Sequence, residues 1–178
     1  VRRNKKMQPK TILEMGDVRG KKVILRLDLN VPLRDGKVFD DFRIRKSMPT
    51  IEVLQSRGAR IIILSHCEGK ESTTLRPVFE YLKERMPISF IEKYVDDATR
   101  QTIESMKDGD IVLFENLRIY SGEKENDQDF AKSLALLGDF YINEAFSCSH
   151  REHASIVGIP QYLPSFIGPL FQSEIENL

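Results

Sequence analysis

Three arginines and three histidines are the residues of this chain best able to do chemistry. Arg43 opens a stretch with helical spacing. Arg118, His66, and the group His150, Arg151 and His153 each follow a short apolar run. A guanidinium binds phosphate or carboxylate through two parallel hydrogen bonds, and a histidine adds a charge that depends on pH. Asp28 and Asn30 follow another apolar run and add polar groups of their own. Each residue also has an ordinary reading. A lone arginine after a strand is usually solvated. Asp28 and Asn30, just ahead of Val31-Pro32, are also turn-capping residues, and His150-Arg151-Glu152-His153 is also a charged loop. Zinc-ligand spacings are absent, so no metal is expected. Ser65-His66 is not read as nucleophile and base, because adjacent residues seldom face each other and no nucleophile elbow precedes them. Neither a GxxxxGK[ST] nor a GxGxxG loop occurs, so there is no recognised cradle for a nucleotide's phosphates.

These residues need elements to bring them together, and the pattern supplies them. Val23–Leu27, Arg60–Leu64, Ile88–Ile91, Ile111–Phe114 and Phe140–Ile142 read as strands. Arg43–Ser56, Leu75–Met86, Asp96–Met106 and Asp127–Leu137 read as helices. Gly58, Gly109 and Gly138 fall where helices should stop. Strand and helix alternate, and the strands are continuously apolar, which predicts a parallel sheet with helices on both faces, a three-layer α/β/α sandwich. Right-handed crossovers then put every strand's C-terminus on one edge, where ligands of such sheets bind. Asp28, Asn30, His66, Arg118, His150, Arg151 and His153 all follow strands, and Arg43 can face the same edge. On pattern alone the chain is an α/β domain with an anion site.

Composition narrows the classes. The chain has 178 residues, 40% hydrophobic and 30% charged, enough for one well-packed domain. Lys plus Arg and Asp plus Glu both number 27, so no global field draws it to nucleic acid or membrane. The edge arginines also lack interleaved aromatic residues for base stacking. Two cysteines, Cys67 and Cys148, make no disulfide framework and suit a reducing compartment. The densest apolar run, Ile61–Leu64, is far too short to span a bilayer, and the basic start Val1–Lys6 reads as a frayed terminus rather than a signal peptide. A cytoplasmic protein is expected.

Taken in order, the edge segments resemble the phosphoglycerate kinase family. Arg26-Leu27-Asp28-Leu29-Asn30-Val31-Pro32 is similar to the motif RVDFNVP. Asp41-Phe42-Arg43-Ile44 with Met48-Pro49-Thr50-Ile51 is similar to the family's first helix, and Leu64-Ser65-His66 to the start of its SHLGRP loop. Glu115-Asn116-Leu117-Arg118 with Gly122-Glu123 is similar to ENLRF..GE. Ala145-Phe146 with His150–Ser155 is similar to AFGTAHRAHAS, and Val157-Gly158-Ile159-Pro160 continues the match. The resemblance covers roughly residues 11 to 178.

The resemblance implies a Rossmann-like, mainly parallel sheet of about six strands. Residues 1–170 would be the substrate domain of a two-domain kinase, and 171–178 the start of the interdomain helix. It implies reversible phosphoryl transfer between 1,3-bisphosphoglycerate and ADP in glycolysis, by a monomer whose other half binds Mg-ADP or Mg-ATP. Asp28 and Asn30 would hold the hydroxyl and carboxylate end of 3-phosphoglycerate. His66, Arg118 and Arg151 would hold its phosphate. Arg43 would be the catalytic residue, steadying the transferring phosphoryl group, because such transfer needs positioning and charge neutralisation more than covalent help. Lys70, His150 and His153 would be auxiliary. The sequence departs from the pattern at Cys67-Glu68-Gly69-Lys70, where the loop arginine is missing and Glu68 sets a negative charge near an anionic ligand. It departs again at Glu144, Ser147 and Glu152. The C-terminal nucleotide domain is absent from this chain, and the uncapped helical pattern of Ser173–Leu178 is expected of a truncation. The alternative is a stand-alone, non-catalytic domain that binds a phosphorylated acid.

Overall fold

Alternate residues of the central strands enter different cores, and this sets the architecture. The computed structural model describes residues 9–69, 73–93 and 96–177. In chain order the elements are β1 (Lys22–Arg26), β2 (Leu33–Arg34), β3 (Lys37–Val38), α1 (Phe42–Ser56), β4 (Arg60–Leu64), α2 (Arg76–Lys83), β5 (Ser89–Ile91) and α3 (Asp97–Glu104). They continue with β6 (Ile111–Phe114), α4 (Ser121–Lys124), α5 (Gln128–Ala135), β7 (Phe140–Asn143), β8 (Ser165–Ile167) and α6 (Pro169–Glu176). Six strands form one sheet in the order β5-β6-β4-β1-β7-β8, and every pairing is parallel. The register sets Val23 beside Ile61 and Ile61 beside Ile111.

Because side chains alternate across a strand, Val23, Leu25, Ile61 and Ile63 pack on one face against Ile44, Ile51 and Leu54 of α1 and Val78, Phe79 and Leu82 of α2. Ile24, Ile62, Val112 and Tyr141 pack on the other face against Ile103 of α3 and Phe130 and Leu134 of α5. Both faces are covered, as expected for continuously apolar parallel strands. The stop between α1 and β4 is Gly58, whose φ of +76° other residues rarely adopt. No described helix is long and apolar enough to cross a membrane.

Among the elements that escape the sequence pattern are a hairpin and a strand. A small antiparallel hairpin, β2–β3, turns at Asp35 and Gly36, both with positive φ (52° and 71°). The Arg34 guanidinium lies 3.6 Å from the centre of the Phe39 ring. The second is β8, the sixth strand of the sheet, whose three residues lie between Pro164 and Gly168 and are too few to show a period. The basic start read as a frayed terminus, Val1–Lys6, lies outside the described residues, as does Lys70.

Candidate functional site

The site rests on an arginine buried at the end of β1. Arg26 is fully buried although it ends an apolar strand. A buried charge needs partners. Its Nε donates to Ser155 Oγ at 2.8 Å, its Nη2 to His66 Nδ1 at 3.1 Å, and its Nη1 to the Leu27 carbonyl. Ser155 Oγ in turn donates to Glu123 Oε1 at 2.6 Å, and the Ser155 N–H to Glu123 Oε2 at 2.9 Å. Glu123, itself fully buried, thus balances Arg26 through the Ser155 hydroxyl. Tyr141 Oη closes the cluster on the Ser155 carbonyl at 2.6 Å.

Above this floor the chain turns. Ser65 Oγ donates to the Leu27 carbonyl and accepts from the Leu29 N–H, both at 2.9 Å, tying the segment after β4 to the segment after β1. This hydroxyl spends its proton and a lone pair on backbone groups. Asn116 accepts from the Cys67 N–H at 3.1 Å and donates to the Cys67 carbonyl at 3.0 Å, tying the segment after β6 to the same loop. Three strand ends are thereby locked into one edge.

On that edge Asp28 does two jobs. One oxygen accepts the Asn30 N–H at 3.1 Å, the turn role. The other receives Arg43 Nη1 at 2.5 Å and the Ser147 hydroxyl. Burial pushes the Asp28 carboxyl up, but the Ser147 hydrogen bond, Arg43 and nearby His66 outweigh it and hold the carboxyl below its usual value. Phe42 and Arg43 stand in a wall shared by two cavities. One, of about 420 Å³, is also lined by Asp28, Ser47, Phe146 and Ser147. The other, of about 430 Å³, is also lined by Asn30, Pro32, Asp40 and Glu68.

His66 corrects the sequence reading. It is 3% exposed, and burial first, then the charges of Arg26 and Arg118, push its pKa down to about 3. It therefore offers the site an N–H donor and not a charge that changes with pH. Nδ1 accepts from Arg26, so the ring proton sits on Nε2, which faces Cys148 Sγ at 3.7 Å. Asp28, His66 and Cys148 bring three ligand-type atoms within 4.8 Å of one another. A cation is a poor fit there, because the Nδ1 lone pair is committed, Nε2 is protonated, and Arg26, Arg43 and Arg118 all act on the ring.

Arg118 has a side chain only 5% exposed, ion-pairs with Glu68, and keeps a buried Nε with no partner among the described residues. Asn30 Oδ1 accepts the Glu68 N–H at 3.0 Å. Asp28, Asn30, Arg43 and Arg118 are thus joined directly or through Glu68, and a ring nitrogen of His66 lies within 4.8 Å of an Asp28 oxygen. Arg151 and His150 are exposed on the turn after β7, and the Arg151 guanidinium makes no hydrogen bond or ion pair among the described residues. His153 lies on the other side of the floor, 3.9 Å from Glu123. Burial lowers its pKa, with Glu123 opposing.

Glu144, read as a departure near the ligand, serves α6 instead. Its carboxylate receives the Thr50 hydroxyl and the N–H groups of Leu170 (3.2 Å) and Phe171 (2.8 Å). The sequence reading missed Arg26, Glu123, Ser155 and Asn116 as organisers. An arginine inside Val-Ile-Leu-Arg-Leu was the available signal, since no charge sits in such a strand without a partner.

Comparison with known proteins agrees with the motifs. A family model described as phosphoglycerate kinase matches residues 13–178. A phosphoglycerate kinase of Methylorubrum extorquens is 43% identical over 95% of this chain, and one of Bartonella bacilliformis 45% identical over 97%. The chain spans about 44% of the length of these relatives, in roughly their N-terminal half. Solved phosphoglycerate kinases of Coxiella burnetii (31% identity, TM-score 0.83) and Pyrococcus horikoshii (30%, TM-score 0.85) superpose on 95% and 94% of this chain, each over 44% of its own length.

Proposed function

The chain belongs to the phosphoglycerate kinase family, and on that premise we propose that it is the half of such an enzyme that binds 3-phosphoglycerate or 1,3-bisphosphoglycerate. The observation that carries this reading is the convergence of Asp28, Arg43, His66 and Arg118 from three strand ends and one helix start onto a single edge. A ligand with a carboxylate at one end and a phosphate at the other needs such separated donors. Asp28 accepts from the ligand's hydroxyl, and the Asn30 amide donates to its carboxylate. The Nε2–H of His66, the guanidinium of Arg118 and the exposed Arg151 donate to its phosphate. Arg43 has to leave Asp28 to reach an acyl phosphate, and its charge there stabilises the transferring group. In this reading magnesium and the nucleotide belong to the additional length of the relatives, which supplies the second substrate and part of the charge neutralisation, and the assembled protein works as a monomer in the cytoplasm. Lys70 and His150 remain auxiliary contacts.

The test is chemical-shift mapping with 3-phosphoglycerate. Shifts at Asp28, His66 and Arg118, with a dissociation constant of roughly 0.1 mM to a few mM, are expected, because a few charged hydrogen bonds are offset by the entropy of association. In a coupled assay this chain alone makes no ATP from 1,3-bisphosphoglycerate and ADP. The absence of any shift at ligand concentrations on the order of 10 mM, well above that constant, would replace the enzyme reading with a different role for the domain.

A further inference from the structure

Glu68 already occupies Arg118. Its carboxylate is half-exposed and ion-paired to a guanidinium that is otherwise buried, with an Nε lacking any partner among the described residues. The backbone leading into Glu68 is hydrogen-bonded. Its N–H is held by Asn30 Oδ1 at 3.0 Å, and the preceding residue, Cys67, is held on both sides by Asn116. Glu68 thus presents its carboxylate from a hydrogen-bonded backbone, on a side chain whose own torsions suffice to withdraw it into water.

We propose that Glu68 is a built-in counter-anion, a residue that sets phosphate affinity by filling the phosphate position on Arg118 until the phosphate of a phosphorylated acid displaces it. This rests on the reading of the edge as a phospho-acid site and adds a competitor to it. A monocarboxylate places one charge and two oxygens on Arg118. A phosphate brings more charge and three oxygens, enough to reach the unused donors of the fork. An acid without a phosphate leaves the Glu68–Arg118 pair in place, so the pair lowers affinity for phosphorylated ligands and not for unphosphorylated ones. The same contact keeps a buried guanidinium from standing uncompensated in the free chain.

The experiment compares wild type with Glu68→Gln, an isosteric change at a half-exposed position. Each is titrated by calorimetry with 3-phosphoglycerate, inorganic phosphate and glycerate. Glu68→Gln should bind 3-phosphoglycerate and inorganic phosphate on the order of three- to tenfold more tightly, the range expected for removing one partly exposed ion pair and its repulsion of the incoming anion. Glycerate binding should be unchanged. Equal affinities for both phosphates in the two proteins, or an equal gain for glycerate, overturn the counter-anion role while leaving the phospho-acid site in place. Discrimination between the two proteins for inorganic phosphate with no binding of 3-phosphoglycerate supports the role and rejects the choice of phospho acid. No binding of either phosphate to either protein overturns both.

Discussion

Arg26 Nη2 donates to His66 Nδ1 across 3.1 Å, with both residues buried. The bond fixes the histidine as the neutral tautomer with its proton on Nε2. Protonating Nδ1 would set two donors face to face beside a permanent cation. Burial first, and then the Arg26 charge, push the pKa down to about 3.

A pH dependence follows. Unfolded, His66 takes a proton near its ordinary value of 6.5, and folded, only near 3. Between these values the unfolded chain binds the extra proton, so stability rises with pH across this window and is lost as pH falls from about 6.5. One such group gives a slope of at most about 1.4 kcal/mol per pH unit. Urea unfolding between pH 7 and 4 should therefore show a steeper loss for wild type than for His66→Gln. Nitrogen-15 spectra of the imidazole should show the Nε2–H tautomer with no titration from pH 5 to 8. A ring that titrates near 6.5 would refute the assignment.

The Arg26–Ser155–Glu123 chain carries a second prediction, about stability. Glu123 is the buried negative partner that makes burial of Arg26 tolerable. Glu123→Ala should cost about 3–5 kcal/mol in urea unfolding, the usual price of leaving a buried charge without its partner. Ser155→Ala, which removes only the bridging hydroxyl, should cost about 1–3 kcal/mol. Equal, small losses would mean that water takes over the role of Glu123.

Arg26, His66 and Glu123 mark where the sequence stops being informative. The sheet was legible because Val23–Leu25, Ile61–Leu64 and Ile111–Phe114 are continuous apolar runs, which only burial on both faces explains. The edge residues were legible as positions after strands. Partner choice was not. The string Gly-Glu at 122–123 reads the same whether the carboxylate meets a ligand or holds a serine beneath one, and only the return of residues 154–158 under β1 decides it. The pattern likewise marked Arg118 as a cation at the edge, whereas the buried environment that leaves its Nε unpartnered depends on long-range packing.

Arg43 and Arg151 should separate binding from chemistry. Arg151 is exposed and uncommitted among the described residues, so contact with a phosphate costs it no existing bond. Arg151→Ala should weaken 3-phosphoglycerate binding about tenfold or more if it meets the phosphate directly. Arg43 has to give up Asp28 first, which reduces its net contribution to ground-state binding, and Arg43→Ala should change affinity only a few-fold. In a full-length version the same change should lower kcat steeply at nearly constant KM, because its charge is needed most at the transition state. A large loss of binding with unchanged kcat would reverse the assignment.

Gly168 and Glu144 set the last prediction. A Cβ on Gly168 would lie 2.1 Å from the Glu144 carboxyl carbon, so glycine is the residue that lets this carboxylate reach the first N–H groups of α6. That carboxylate also takes the Thr50 hydroxyl of α1, so it pins α6 to α1 beside the cavity that contains Asp28 and Arg43. Burial raises the Glu144 pKa, opposed by the Thr50 and backbone hydrogen bonds. Gly168→Ala has to push the carboxylate away, at an expected cost of about 1–3 kcal/mol for overpacking a tight site. The loss should be local. Hydrogen exchange at Leu170, Phe171 and Gln172 should speed up, while the amides of β5 and β6, at the opposite edge of the sheet, keep their protection. Glu144→Gln, which keeps the volume and one acceptor oxygen, should loosen α6 less than Gly168→Ala does. If Gly168→Ala leaves exchange in α6 unchanged, the helix is held by the Phe146–Phe171 ring contact, with centroids 5.2 Å apart, and the carboxylate is secondary.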